Sequence, residues 1–316
     1  MRLLLSVSRR KFFYEKFFLL KHTPSIIKMS SASIVASINY CSIQISNYLG
    51  ISTVILGVLG GIFNMIVFLS LRIFRESSCG IYLIVMSCVH IFQLAFGYFY
   101  RILTVGSLAP WLDVSILSCT VRMYLSQICG VISVSCICLA VIDQYLATSK
   151  YPRLQQWSQA KVNKRICVLM CLFWILLCSP HLIYLKPVYS SLTNATICTI
   201  INPTYQNYFN RVYMPVISYA MIHSTNAIFA VLAYQNVQEI SYRTVPLVRR
   251  QHEVQITRMI LIQTLIGVSI SLPYFIISVL TNNIRFTNDP VILAKIQLTL
   301  SVALWMNFVY FAVSLF

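Results

Sequence analysis

Acidic side chains are nearly missing from this chain: seven Asp and Glu stand among 316 residues, against 24 Lys and Arg. Every acid lies at the end of an apolar run or in a connecting loop, so the intramembrane carboxylates that ion-coupled carriers use are lacking. No internal repeat of the kind carriers show is present either. Charge of either sign is scarce, at 10% of residues, whereas a soluble domain carries about 25%. There is no glycine-rich phosphate loop, no His-Glu-x-x-His and no Cys/His cluster at zinc spacing. The histidines His22, His90, His181, His223 and His252 are scattered. An enzyme reading finds no support, and neither a cofactor nor a metal is implied.

What the chain has in abundance is uninterrupted apolar sequence. Seven stretches of at least twenty residues contain no Lys, Arg, Asp or Glu: Ile51 to Leu71, Ser77 to Tyr100, Met123 to Ile142, Ile166 to Leu185, Val212 to Gln238, Met259 to Ile284 and Ile296 to Phe316. A helix rises about 1.5 Å per residue, so roughly twenty residues cover the ~30 Å hydrocarbon core of a bilayer. The runs are apolar all round and do not alternate, which excludes a β-barrel. They predict an all-α membrane protein, a seven-transmembrane helix bundle with spans at about 49–72, 79–101, 117–147, 164–186, 210–238, 255–282 and 291–316. Residues 49–316 form this one bundle, residues 1–48 form an N-terminal extracellular segment, and the short loops leave no room for a second soluble domain.

A net charge of +17 raises nucleic acid as a partner, so its distribution matters more than its sum. Eleven basic residues fall in alternate loops: Arg72, Arg75, Lys150, Arg153, Lys161, Lys164, Arg165, Arg243, Arg249, Arg250 and Arg258. The opposite loops and helix ends hold six: Arg101, Arg122, Lys186, Arg211, Arg285 and Lys295. The positive-inside bias makes the first set cytoplasmic and puts the N-terminus outside. This charge records topology, and no nucleic-acid partner is expected. The first 28 residues run against the bias, with seven basic residues against Glu15, yet they match a signal peptide poorly. Either Met29 is the natural start, or the segment is a basic tail suited to a membrane surface.

Residues at fixed separations mark individual spans. Gly61-Ile62-Phe63-Asn64 lies in the first, and Asp143-Gln144-Tyr145 follows Cys119 by about 25 residues in the third. Trp174 and Pro180 lie in the fourth, Pro215 in the fifth, Leu272-Pro273 in the sixth and Asn307-Phe308 in the seventh. Together and in this order they resemble the motifs of the rhodopsin-like (class A) G-protein-coupled receptors over about Leu49 to Phe316. The resemblance implies a multi-pass plasma-membrane receptor for an extracellular ligand, working through a heterotrimeric G protein. Pro215 and Pro273 would be helix hinges, Trp174 a fourth-helix packing residue, and Asp143, Gln144 and Tyr145 the switch facing the G protein.

Most of the eleven cysteines lie inside spans, while Cys41, Cys119 and Cys198 lie outside them. The family has a disulfide where Cys119 and Cys198 stand, and an oxidising exterior permits it. Free thiols, or a bond to Cys41, are the alternatives. Beside Cys198, Asn194-Ala195-Thr196 is a glycosylation sequon on the expected outer side.

Polar groups at membrane depth are costly and therefore candidates for function. Asn64, His90 and Asn307 are expected to form a polar core network. Relatives usually have Asp where His90 stands, and a neutral imidazole can link two amides but cannot supply the anion for Na+. Gln144 replaces the family's Arg, keeping hydrogen bonding but losing the charge and the bidentate fork. Ser271 and Phe308 are further departures, at positions where relatives have Trp and Pro. Ser126 stands where amine receptors have Asp, and Ser301 where opsins have Lys, which disfavours both ligand classes. A peptide is then the expected ligand, with Arg122, Ser126 and Ser271 as pocket residues. Two alternatives remain, a non-signalling or truncated seven-span receptor, since Phe316 closes the last run, and a membrane transporter.

Overall fold

The computed structural model describes residues 31–71, 77–105, 116–190, 195–240, 247–283 and 290–313. Seven helices are long and apolar enough to cross a membrane: Ala32–Ser70, Gly80–Leu103, Ser118–Thr148, Ala160–Tyr184, Pro203–Glu239, Val254–Thr281 and Val291–Val313. They are called the first to seventh spans below. Each overlaps one of the uncharged runs, because without charged side chains to solvate, a helix is the way to satisfy the backbone in lipid.

The third span is the axis of the bundle and the most buried of the seven. It touches the second, fourth, fifth and sixth spans, while the seventh packs between the sixth and the first. Outward faces are apolar: Leu56, Phe63 and Ile66 on the first span and Leu169, Phe173 and Leu176 on the fourth are exposed. Such a surface suits a lipid bilayer and would be an aggregation liability in water. Inward faces carry small side chains where helices come close. A Cβ on Gly57 would lie 2.4 Å from Leu94 Cδ1 and 2.9 Å from Ala312 Cβ, so only glycine lets the first span meet the second and seventh here.

The described part of the first helix reaches back to Ser31, well before the expected boundary at residue 49. No charged residue separates Met29 from Ile51, so nothing in the side chains ends the helix, which runs through a π-helical segment, Ile45–Leu49, into Gly50–Ser70. Ser42 Oγ donates to Ser301 Oγ at 3.0 Å, so part of the segment assigned to the exterior packs along the seventh span. Wide π turns also interrupt the second span at Gln93–Tyr98 and the fifth at Phe209–Met221. Between the fourth and fifth spans the chain forms an antiparallel hairpin, β1 (Leu185–Ser190) and β2 (Ala195–Ile200), with Pro187 opposite Cys198.

Candidate functional site

At the outer end of the third span, Cys119 and Cys198 are joined by a disulfide, with their Cα atoms 5.9 Å apart. Cys41 is an exposed free thiol. The bond fixes β2 to the third span, and Thr120 Oγ1 donates to the Leu185 carbonyl at 2.9 Å, which fixes β1 as well. The hairpin is thereby held across the top of the bundle. Asn194 lies outside the described residues.

Two cavities formed by described residues lie below this end. The outer one, a cleft of about 350 Å³ between the second and third spans, is walled by Phe92, Phe96, Val121 and Leu125. Arg122 borders it with its guanidinium 4.6 Å from the centre of the Tyr100 ring. The deeper one, a chamber of about 170 Å³, lies between the second, third, fifth, sixth and seventh spans. Ser126, Gln127, Ser218, His223, Ser271 and Asn307 give it polar groups, and Tyr219 stacked on Phe275 at 3.8 Å gives it an aromatic wall. Of the expected pocket residues, Ser126 and Ser271 meet at this chamber, whereas Arg122 belongs to the outer cleft.

The structure does not join Asn64, His90 and Asn307. His90 is fully buried, hydrogen-bonds to Ser133 Oγ on the third span, and meets Tyr310 and Phe311 edge-on at 5.7 and 5.1 Å. Register explains the difference. Gly57 is level with Ala312 of the parallel seventh span, so Asn64, seven residues inward, and Asn307, five residues outward, are held about 18 Å apart along the axis. On the seventh span, His90 meets residues 310 and 311, one turn past Asn307, which lines the chamber instead. Trp174 is buried in the packing of the fourth span on the third and donates from Nε1 to Ser135 Oγ at 2.9 Å.

At the inner end of the third span the three switch candidates turn to three different neighbours. Asp143 Oδ1 accepts from Ser158 Oγ at 2.6 Å and from Asn163 Nδ2 at 2.7 Å, which ties the third span to the start of the fourth. Gln144 Oε1 accepts from Thr257 Oγ1 of the sixth span at 3.0 Å, with both residues only 2% exposed. Tyr145 faces Phe229 of the fifth span edge-on at 5.4 Å, and its carbonyl accepts from Asn236 Nδ2 at 3.3 Å. A neutral amide thus occupies the junction of the third and sixth spans.

Pro215 lies inside the π-helical part of the fifth span and Pro273 inside the sixth. Proline removes a backbone donor and crowds the carbonyl of the previous turn, and a wide π turn relieves that crowding. Sequence reasoning missed Gln93, Ser133, Ser158, Asn163 and Thr257, all of them uncharged. Gln93 and Asn163 had one available signal, an amide inside or beside an apolar helix, where an unpaired polar group is expensive.

The sequence matches the family described as 7 transmembrane receptor (rhodopsin family) across residues 99–310. No curated protein matches it.

Proposed function

The chain belongs to the rhodopsin family of seven-transmembrane receptors, multi-pass proteins of the plasma membrane, and we propose that it binds an extracellular ligand in the chamber and signals to a heterotrimeric G protein inside. The observation that carries this reading is continuity. One helix, the third span, lines the chamber with Ser126 and Gln127 and is tied at its inner end to the sixth span through Gln144 and Thr257. A ligand that favours one arrangement of the spans over another shifts their population by its difference in affinity. Motion of the fifth and sixth spans about Pro215 and Pro273 would part Thr257 from Gln144 and open the inner face. On this reading a glycan on Asn194 would sit on the outer side.

The test is nucleotide exchange on a G protein by purified receptor in nanodiscs, comparing the wild type with Gln144→Arg. Restoring a cation is expected to raise exchange severalfold over a low wild-type rate. Absence of exchange in both forms would instead support a receptor that does not signal, the reading favoured by the missing charge at Gln144.

A second reading is a peptide held at the rim rather than in the chamber. Its support is the outer cleft of about 350 Å³ with Arg122 at its border, together with exposed Val188 and Tyr189 on the hairpin above.

A further inference from the structure

We propose that the chamber takes a compact, uncharged ligand carrying a hydrogen-bond donor, and that Gln93 selects it; this deepens the receptor reading above and rests on it. Gln93 opens the π-helical segment of the second span and is 4% exposed. With Ser126 it lines both cavities, so the two residues stand between the outer cleft and the chamber. Gln93 Nε2 donates to Ser126 Oγ at 2.7 Å, while Gln93 Oε1 is buried with no hydrogen-bond partner. A buried carbonyl oxygen left unsatisfied is an expensive feature, and a ligand donor would satisfy it once the Gln93 amide, whose oxygen has no face open to the chamber as it stands, turns toward it. The next turn makes room for the amide. A Cβ on Gly97 would lie 3.2 Å from Gln93 Cδ and 3.3 Å from its Nε2 and Oε1, tighter than side chains normally pack.

Charge and size restrict the ligand further. Among the described residues no Asp, Glu, Lys or Arg lines the chamber, so an ionic group would lose its hydration there without meeting an opposite charge. The volume of about 170 Å³ is slightly larger than the ~150 Å³ cavity known to hold benzene. The fit is one ring bearing a short polar arm, with the Tyr219 and Phe275 pair as its wall and Gln93 Oε1 as the acceptor for a hydroxyl or amide N–H.

The test uses four single-ring probes on purified receptor in nanodiscs at neutral pH, followed by ligand-observed NMR. The probes are benzamide, with an N–H donor; methyl benzoate, with none; benzylammonium; and benzoate. Benzamide is expected to bind at least tenfold more tightly than the other three. Gln93→Leu should weaken benzamide about tenfold and leave methyl benzoate unchanged. Gln93→Glu should transfer the preference to benzylammonium, a gain that misfolding cannot produce. The proposal is overturned if benzamide does not bind, if methyl benzoate or either ion binds as well as benzamide, or if Gln93→Leu leaves benzamide binding intact. Exchange activity is not the readout. Gln93-dependent benzamide binding in a receptor that activates no G protein supports this proposal while removing the signalling reading.

Discussion

The two ends of the third span are held by different chemistry. The outer end carries a covalent bond, Cys119 to Cys198, reinforced by the Thr120 hydrogen bond to β1. The inner end is held to the sixth span through a neutral hydrogen bond between Gln144 and Thr257. A disulfide does not open on the timescale of helix motion, whereas a polar contact between membrane helices contributes only about 0.6 kcal/mol on average. The third span is therefore anchored outside and releasable inside. A ligand seated between the two ends has a fixed point to push from and a soft junction to move.

Removing the anchor is expected to have the largest effect. The bond closes a ring spanning 79 residues of sequence separation, and opening a ring of that size costs about 4 kcal/mol in the loop-entropy model. Cys198→Ser should lower the unfolding free energy of purified receptor by that order, measured by thermal or denaturant unfolding. A loss below about 0.5 kcal/mol, the range of an ordinary surface substitution, would show that the outer end is not the rigid one.

Next in size is the inner clamp formed by Asp143. Asp143→Ala leaves the buried Asn163 amide and the Ser158 hydroxyl without this acceptor, and orphaned buried donors cost about 1–3 kcal/mol. Asp143→Asn keeps an acceptor oxygen and should cost less. The same unfolding measurement ranks the two variants. Equal losses would mean that the acceptor geometry is immaterial and that the inner end is softer still.

The sequence reveals the anchored end more readily than the soft one, for a physical reason. Charge gaps mark the spans because a charged side chain in hydrocarbon costs more than any packing there can recover, and cysteines outside the spans narrow the disulfide to a few pairings. The partners inside the bundle are Ser, Thr, Asn and Gln, whose cost is small enough for many placements to be tolerated. Nothing in the residue types announces that Thr257 rather than a neighbouring side chain meets Gln144, or that Ser133 meets His90. Helix register is also hidden. Asn64 carries the family's polar side chain, yet the register of the first span is fixed where Gly57 meets Leu94 and Ala312, a spot that demands absence of a side chain rather than a particular one. Gln93 is hidden for another reason, since a gap in charge does not distinguish an amide from an apolar side chain.

The smallest expected effect addresses the soft junction directly. Thr257→Val keeps shape and removes the hydroxyl that donates to Gln144, so the hydrogen bond is lost and the buried Gln144 Oε1 is left without this donor. At about 1 kcal/mol, the lower cost of a buried acceptor left unpaired, the population with the third and sixth spans parted should rise at least about fivefold. Distance measurements between labels at Lys150 and Arg258, on the inner ends of these spans, would read that shift without a G protein. If Gln144 and Thr257 act as a pair, Gln144→Met combined with Thr257→Val should shift the population no further than either change alone, whereas additive shifts would mean that they act separately. The neutral latch also makes a prediction about salt. Screening weakens an ion pair exposed to solvent but leaves a buried, uncharged hydrogen bond unaffected. Raising ionic strength should therefore leave the wild-type distance distribution where it is, and parting of the spans by salt would place the junction in some charged contact other than Gln144 and Thr257.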